Sequence, residues 1–210
     1  MEEVDYQMLN KLKASICNYF FLKKYPFWKL YDYRGKFQGY NYSWHRFIPT
    51  GWWKAFGKQL SDEIKAAGIA SRKRLGKRIL WKDLIRWDDI KEKWGELRLS
   101  ATTTPEIEHV LEKYELLSIG YCERCGKPAR YVTRGLVEYM CADCFKENLP
   151  SLMTDEDRVK VTRECRLTSS RIPHRVSYTK SKTDKLIKHV VNTKKIYGVD
   201  YEELWGLKEE

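Results

Sequence analysis

The chain has no run of about 18 apolar residues, so no membrane-spanning helix is expected. The opening MEEVDYQMLNKLK is acidic and then amphipathic. It lacks the basic start, apolar middle and small-residue exit of a secretory signal. These absences point to a cytosolic protein. No internal repeat and no low-complexity tract is present. Histidine is scarce, with 4 residues among 210. His45, His174 and His189 are scattered without paired carboxylates nearby, and His109 sits off the apolar stripe of its helix. A His-activated nuclease or a His-x-Glu deaminase therefore finds little here to work with.

Positive charge is abundant. The formal net charge is +11, unevenly placed. Between Arg158 and Lys195 twelve residues are Lys or Arg, opposed only by Glu164 and Asp184. A second cluster, SRKRLGKR from Ser71 to Arg78, has five basic residues and no acid. Such asymmetry points to a polyanionic partner: nucleic acid, a nucleoprotein or an acidic protein face. The candidate contact residues are Arg72, Lys73 and Arg74 on a presumed loop, and Arg163, Arg166, Arg171, Arg175, Lys180 and Lys182. A solvated basic surface is the simpler alternative.

Aromatic residues are also plentiful, with eight Trp and fourteen Tyr. They concentrate in YPFWKLYDYRGKFQGYNYSWHRF, residues 25–47, which reads as short strands and turns. Such density serves core and turn packing more often than base stacking.

The remaining segments alternate in character. Val4, Met8, Leu12 and Ile16 recur at four-residue steps, predicting a helix over 4–22. Trp53, Phe56, Leu60 and Ile64 predict a second helix, stopping at Gly68. ILWKDLIRWDDIKEK reads as a third helix through Lys93, followed by a Trp94-Gly95 turn and a strand from Glu96 to Leu99. Thr104 as N-cap, Pro105 at the first helical position, and Ile107, Val110, Leu111, Tyr114 and Leu117 on one face give the clearest helix. SLMTDEDR opens a further helix or turn, RECRLTSSRIPHRVSYTKSK reads as extended, and DKLIKHVVNTKKIYG and DYEELWGL read as helices.

CERCGKPARYVTRGLVEYMCADC, residues 122–144, carries two Cys-x-x-Cys pairs. Four thiolates at this spacing suit tetrahedral zinc. Gly126 tolerates the positive φ of a knuckle turn. The stretch between the pairs divides at Arg134-Gly135 into two strand-like arms, and CADCFKEN starts a helix. Knuckle, hairpin and helix make a treble-clef or zinc-ribbon plan, with Cys122, Cys125, Cys141 and Cys144 as ligands. Four Cys close the coordination sphere, so the metal holds shape and does no chemistry. No His lies within 126–140, and Cys122-Glu123 lacks the deaminase spacing. Cys17 reads as a buried thiol and Cys165 as an exposed one. The fold class expected is α+β: a mainly helical body with short strands and an inserted four-cysteine treble-clef or zinc-ribbon module. The divisions are 1–118 for the body, 119–150 for the module and 151–210 for a basic region packed on the body.

GWWKAFG, IKEKWGELRL, the helix containing KYELLS, and CERCGKPA with the second Cys pair occur in that order. This series resembles a group of small phage and prophage zinc proteins, over roughly residues 50–150. Some small phage proteins of this size are anti-CRISPR proteins, and at least one inhibitor of type II RNA-guided nucleases is a zinc protein of similar build. The resemblance implies zinc at the four cysteines and a non-enzymatic inhibitor that blocks target DNA loading. It carries over no inhibitory residues. The partner would be a host CRISPR nuclease or its guide-RNA complex. A +11 chain cannot imitate DNA, so it would dock through its basic face. The alternative is a basic zinc-containing nucleic-acid-binding protein, a phage regulator.

Overall fold

The computed structural model describes residues 14–76, 78–133, 137–150 and 154–167. The two C-terminal helices expected from sequence, and Arg171, Arg175, Lys180 and Lys182, lie outside the described residues. The fold is α+β, a mainly helical body joined to a four-cysteine module.

Helix α1 covers 14–24. Its buried positions are Asn18 and Leu22, whereas Ile16 is 49% exposed, so the packed face is not the one expected from Ile16. Residues 25–47 fold into single-turn 3-10 segments, Pro26–Trp28 and Trp44–Phe47, around a tight loop. Tyr31 pairs with Phe37 and Lys29 with Ser43 as isolated bridges. Tyr40 and Asn41 form a turn.

Most of this aromatic density goes into the core. Tyr25, Phe27 and Trp28 are buried. Trp28 stacks on Trp87 with ring centroids 4.8 Å apart and 5° between planes. Each buried indole also finds an acceptor, as its N–H requires. Trp28 donates to Ser61 Oγ at 3.0 Å, Trp87 to the Phe27 carbonyl at 2.8 Å and Trp52 to the Tyr121 carbonyl at 3.2 Å.

Helix α2 runs Thr50–Leu75, beyond the expected stop, and ends with Gly76 in the left-handed conformation. Gly68 is buried inside it because a Cβ there would stand 2.2 Å from the Trp81 ring. The glycine serves a close approach rather than a helix end. Ser71 to Leu75 are therefore helix and not loop. The one-turn helix α3, Trp81–Leu84, leads into strand β1, Ile85–Lys93.

The helix expected through Lys93 is thus a strand. Leu80, Leu84 and Trp87 mimic a helical step of four and three. A bulge between Trp87 and Asp89 lets Trp87 and Ile90, three apart, both face the core. β1 pairs antiparallel with β2, Glu96–Thr103, through the two-residue Trp94-Gly95 turn. Both turn residues have positive φ, 62° and 76°, as a primed hairpin turn requires.

Helix α4, Pro105–Ser118, lies against both α2 and β2. Ile107, Val110, Leu111 and Tyr114 are buried as expected, with Leu116 replacing Leu117 as the fully buried position. Polar clamps fix the layer. Glu63 on α2 accepts from Lys113 Nζ at 2.8 Å and from the Tyr114 hydroxyl at 2.9 Å. At the other end, Ser71 bonds Thr104 at 2.6 Å and Glu106 at 3.0 Å. Arg74 pairs with Glu106, joining the last turn of α2 to the first turn of α4. Among the described residues no helix is long and apolar enough to cross a membrane.

Candidate metal centre

The module begins as a knuckle. The Cys122 N–H donates to the Lys127 carbonyl at 2.7 Å, and the Gly126 N–H donates to the Cys122 carbonyl at 2.8 Å. Gly126 sits at φ 84°, where L side chains strain. Strand β3, Tyr131–Val132, pairs with β4, Tyr139–Met140, as the expected hairpin arms. Cys141 caps helix α5, Ala142–Asn148, its Sγ accepting the Cys144 N–H at 3.5 Å.

This folding brings all four expected thiols together. The sulfurs of Cys122, Cys125, Cys141 and Cys144 lie within 4.8 Å of one another, and Cys125 and Cys141 approach to 3.4 Å. A tetrahedral ion with metal–sulfur bonds of about 2.3 Å needs edges of about 3.8 Å. The cluster therefore fits one metal ion.

Its electrostatics also call for a cation. Burial pushes the Cys125 and Cys144 thiols up; the Lys127 N–H opposes the rise at Cys125, and the Cys141 and Cys122 sulfurs add to it at both. Burial acts the same way on Cys122. There the backbone N–H groups of Cys141, Cys125 and Arg124 outweigh it and hold the thiol below its usual range. Alone, the cluster favours a thiolate at Cys122 and opposes one at Cys125 and Cys144. A divalent cation would reverse that opposition.

The module is seated on the body at two glycines. The Gly51 N–H, at the start of α2, donates to the Glu123 carbonyl at 2.8 Å. A Cβ on Gly51 would lie 2.2 Å from that oxygen, and one on Gly126 would lie 2.5 Å from the Gly51 carbonyl oxygen. Backbone meets backbone, so the knuckle and the helix start fit only without side chains.

Helix α6, Asp155–Cys165, covers the other side of the module. Thr154 caps it, accepting the Asp157 N–H at 3.1 Å. Beyond its end Arg166 bridges to Tyr131, and the Leu167 N–H donates to the Arg130 carbonyl at 2.8 Å. Cys165, expected to be exposed, is only 6% exposed and joins Met140 and Phe145 in the module's small core. Cys17, expected to be buried, is exposed. The described part of the basic C-terminal region thus packs on the cysteine module.

A concavity of 640 Å³ opens between the module and α6. Arg130, Lys146, Arg158, Arg163 and Arg166 line it, with Tyr131 stacked on Phe145 at 4.3 Å behind them. No carboxylate lines it among the described residues. Arg163 and Arg166 were legible as candidates. Arg130 and Lys146 were not, because they lie just before β3 and on α5 rather than in the basic run of the sequence.

The other basic cluster has a different fate. Arg72 lies with its guanidinium 4.4 Å from the Trp81 ring, and Arg74 is paired with Glu106. Lys73, between them, is exposed on the helix end. The set 72–74 is a helix terminus tied into the body.

No family model matches this chain, and neither the curated proteins nor the solved structures provide a match. The resemblance to small phage zinc proteins rests on the quoted motifs alone.

Proposed function

We propose that this is a non-enzymatic binding protein in which a zinc ion at Cys122, Cys125, Cys141 and Cys144 holds the shape of a phosphate-binding surface. The observation that carries the reading is the concavity beside the cysteines, with four Arg and one Lys and no carboxylate among its described lining. Arginine forks suit phosphate oxygens, and no carboxylate in the described lining opposes a polyanionic backbone. Four thiolates fill a tetrahedral ion and leave it no open position for water. The metal's contribution is therefore structural. The partner is nucleic acid, met in the cytosol.

The motif order favours a narrower reading, an inhibitor of a type II RNA-guided nuclease that docks on the guide-RNA complex and blocks target DNA loading. One experiment separates the two. The protein is titrated into guide-loaded nuclease with target duplex, beside naked duplex alone, at two salt concentrations. A shift of naked duplex that weakens steeply with salt, and weakens again in Arg163→Glu and Arg166→Glu, supports the nucleic-acid binder. Loss of the nuclease–DNA complex without any shift of naked duplex supports the inhibitor. Binding in either lane that ignores both substitutions removes the concavity from the account.

A further inference from the structure

A second concavity, of 460 Å³, lies on the body between the aromatic loop and β1. It shares no lining residue with the basic concavity, and its chemistry differs. Its lining includes the buried Phe27, Ile85 and Trp87. Trp87 is fixed there by its hydrogen bond to the Phe27 carbonyl and by stacking on Trp28. Tyr31 and Trp44 are half-buried beside them, and Tyr33 is 88% exposed.

The charged groups are of both signs. Lys29, Lys82 and Arg86 line the groove together with Asp32 and Asp83. The Asp32 Oδ1 accepts the Arg34 and Lys36 N–H groups, both at 2.9 Å, which fixes the loop that presents Tyr33. Burial first, then Tyr40 and Asp83, hold the Tyr31 phenol protonated above its ordinary range, so its O–H stays a donor.

We propose that this groove binds a nucleotide, its base against the aromatic side chains and its phosphate against Lys82, Lys29 or Arg86. A bare phosphate would not want two carboxylates. A purely apolar ligand would not want three cations. A nucleotide uses both, since base edges offer N–H donors to carboxylates and phosphate takes the cations. Base stacking on aromatic rings tolerates any base, as an open groove without a shaped base pocket would. The volume lies within the range of small-ligand sites, about 300–1,000 Å³. The proposal does not rest on the reading of the basic concavity.

The nucleotide can be free or part of a single strand, and calorimetric titration of the full chain distinguishes these. The probes are adenosine monophosphate, ribose 5-phosphate, adenosine and an eight-nucleotide single strand. Adenosine monophosphate, or the strand if only a strand is taken, should bind. Where the monophosphate binds, loss of base or phosphate should weaken binding by about tenfold or more. Tyr33→Ala and Lys82→Glu, both at exposed positions, should each weaken it about tenfold. Equal binding of ribose 5-phosphate and the monophosphate would overturn the proposal. So would affinity unchanged in both groove variants, or no binding by either nucleotide probe.

Discussion

At the scale of single residues, the thiols and one carboxylate make the sharpest tests. Cys125→Ser replaces a thiolate by a hydroxyl that stays protonated, leaving three sulfurs for the ion. Metal content by mass spectrometry should fall well below the about one equivalent expected of the parent. Retained stoichiometry would mean the metal sits elsewhere. Glu106 tests electrostatics. Its hydrogen bond from Arg74, with backbone and Ser71 donors, holds its carboxyl down at about 2, against an ordinary 4.5. A depressed folded value means the stabilisation is full above about 4.5 and is lost as pH falls toward 2. Glu106→Gln should lower the melting temperature at pH 7, and the gap from the parent should close by about pH 2. A gap that persists there would indicate packing loss instead. The same scale marks what sequence could reveal. The four clustered thiols were legible because spacing alone sets a knuckle. Cys17 and Cys165 were misplaced because a lone cysteine carries no spacing, and its burial depends on what packs over it.

At the scale of elements, legibility followed how local the cause was. α4 was readable because its first-turn Pro and apolar stripe lie within its own 14 residues, with Thr104 immediately before them. β1 was not, since the bulge that aligns Trp87 with Ile90 belongs to its pairing with β2. The end of α2 was misread because Gly68 answers to the Trp81 ring, a contact made across a turn. The join between α2 and the knuckle is likewise tertiary, and it makes a prediction. Gly51→Ala places a methyl 2.2 Å from the Glu123 oxygen and 2.3 Å from the Cys122 oxygen. Neither backbone atom can swing aside as a side chain would. The variant should lose about 1–3 kcal/mol of stability and release metal faster to a colorimetric chelator. Unchanged release with lowered stability would show that the seat supports α2 without supporting the knuckle.

For the whole molecule, the division of cores decides what metal removal does. The body has a large core of its own, built on Trp28, Trp52, Leu60, Ile64, Ile107 and Tyr114. The cluster of buried residues around the cysteines is small, and three of its five members, Cys122, Cys141 and Cys165, are themselves cysteines. With so little apolar surface, the module depends on the ion for its folding free energy. The basic concavity spans that dependence: Arg130 sits next to β3, Lys146 on α5, Arg163 on α6, and Arg166 is held beside β3 by its bridge to Tyr131. On the proposed reading, chelation should scatter the cations of the basic concavity while sparing most of the body's helix signal. Naked-duplex affinity should drop about tenfold or more, with far-ultraviolet circular dichroism mostly kept and nucleotide binding at the aromatic groove unchanged. Zinc added back should restore the duplex affinity. Duplex binding that survives complete metal loss would place the phosphate contacts on the body or on the basic residues beyond 167. Loss of the whole helix signal would instead make the module a keystone of the body, coupled through Gly51.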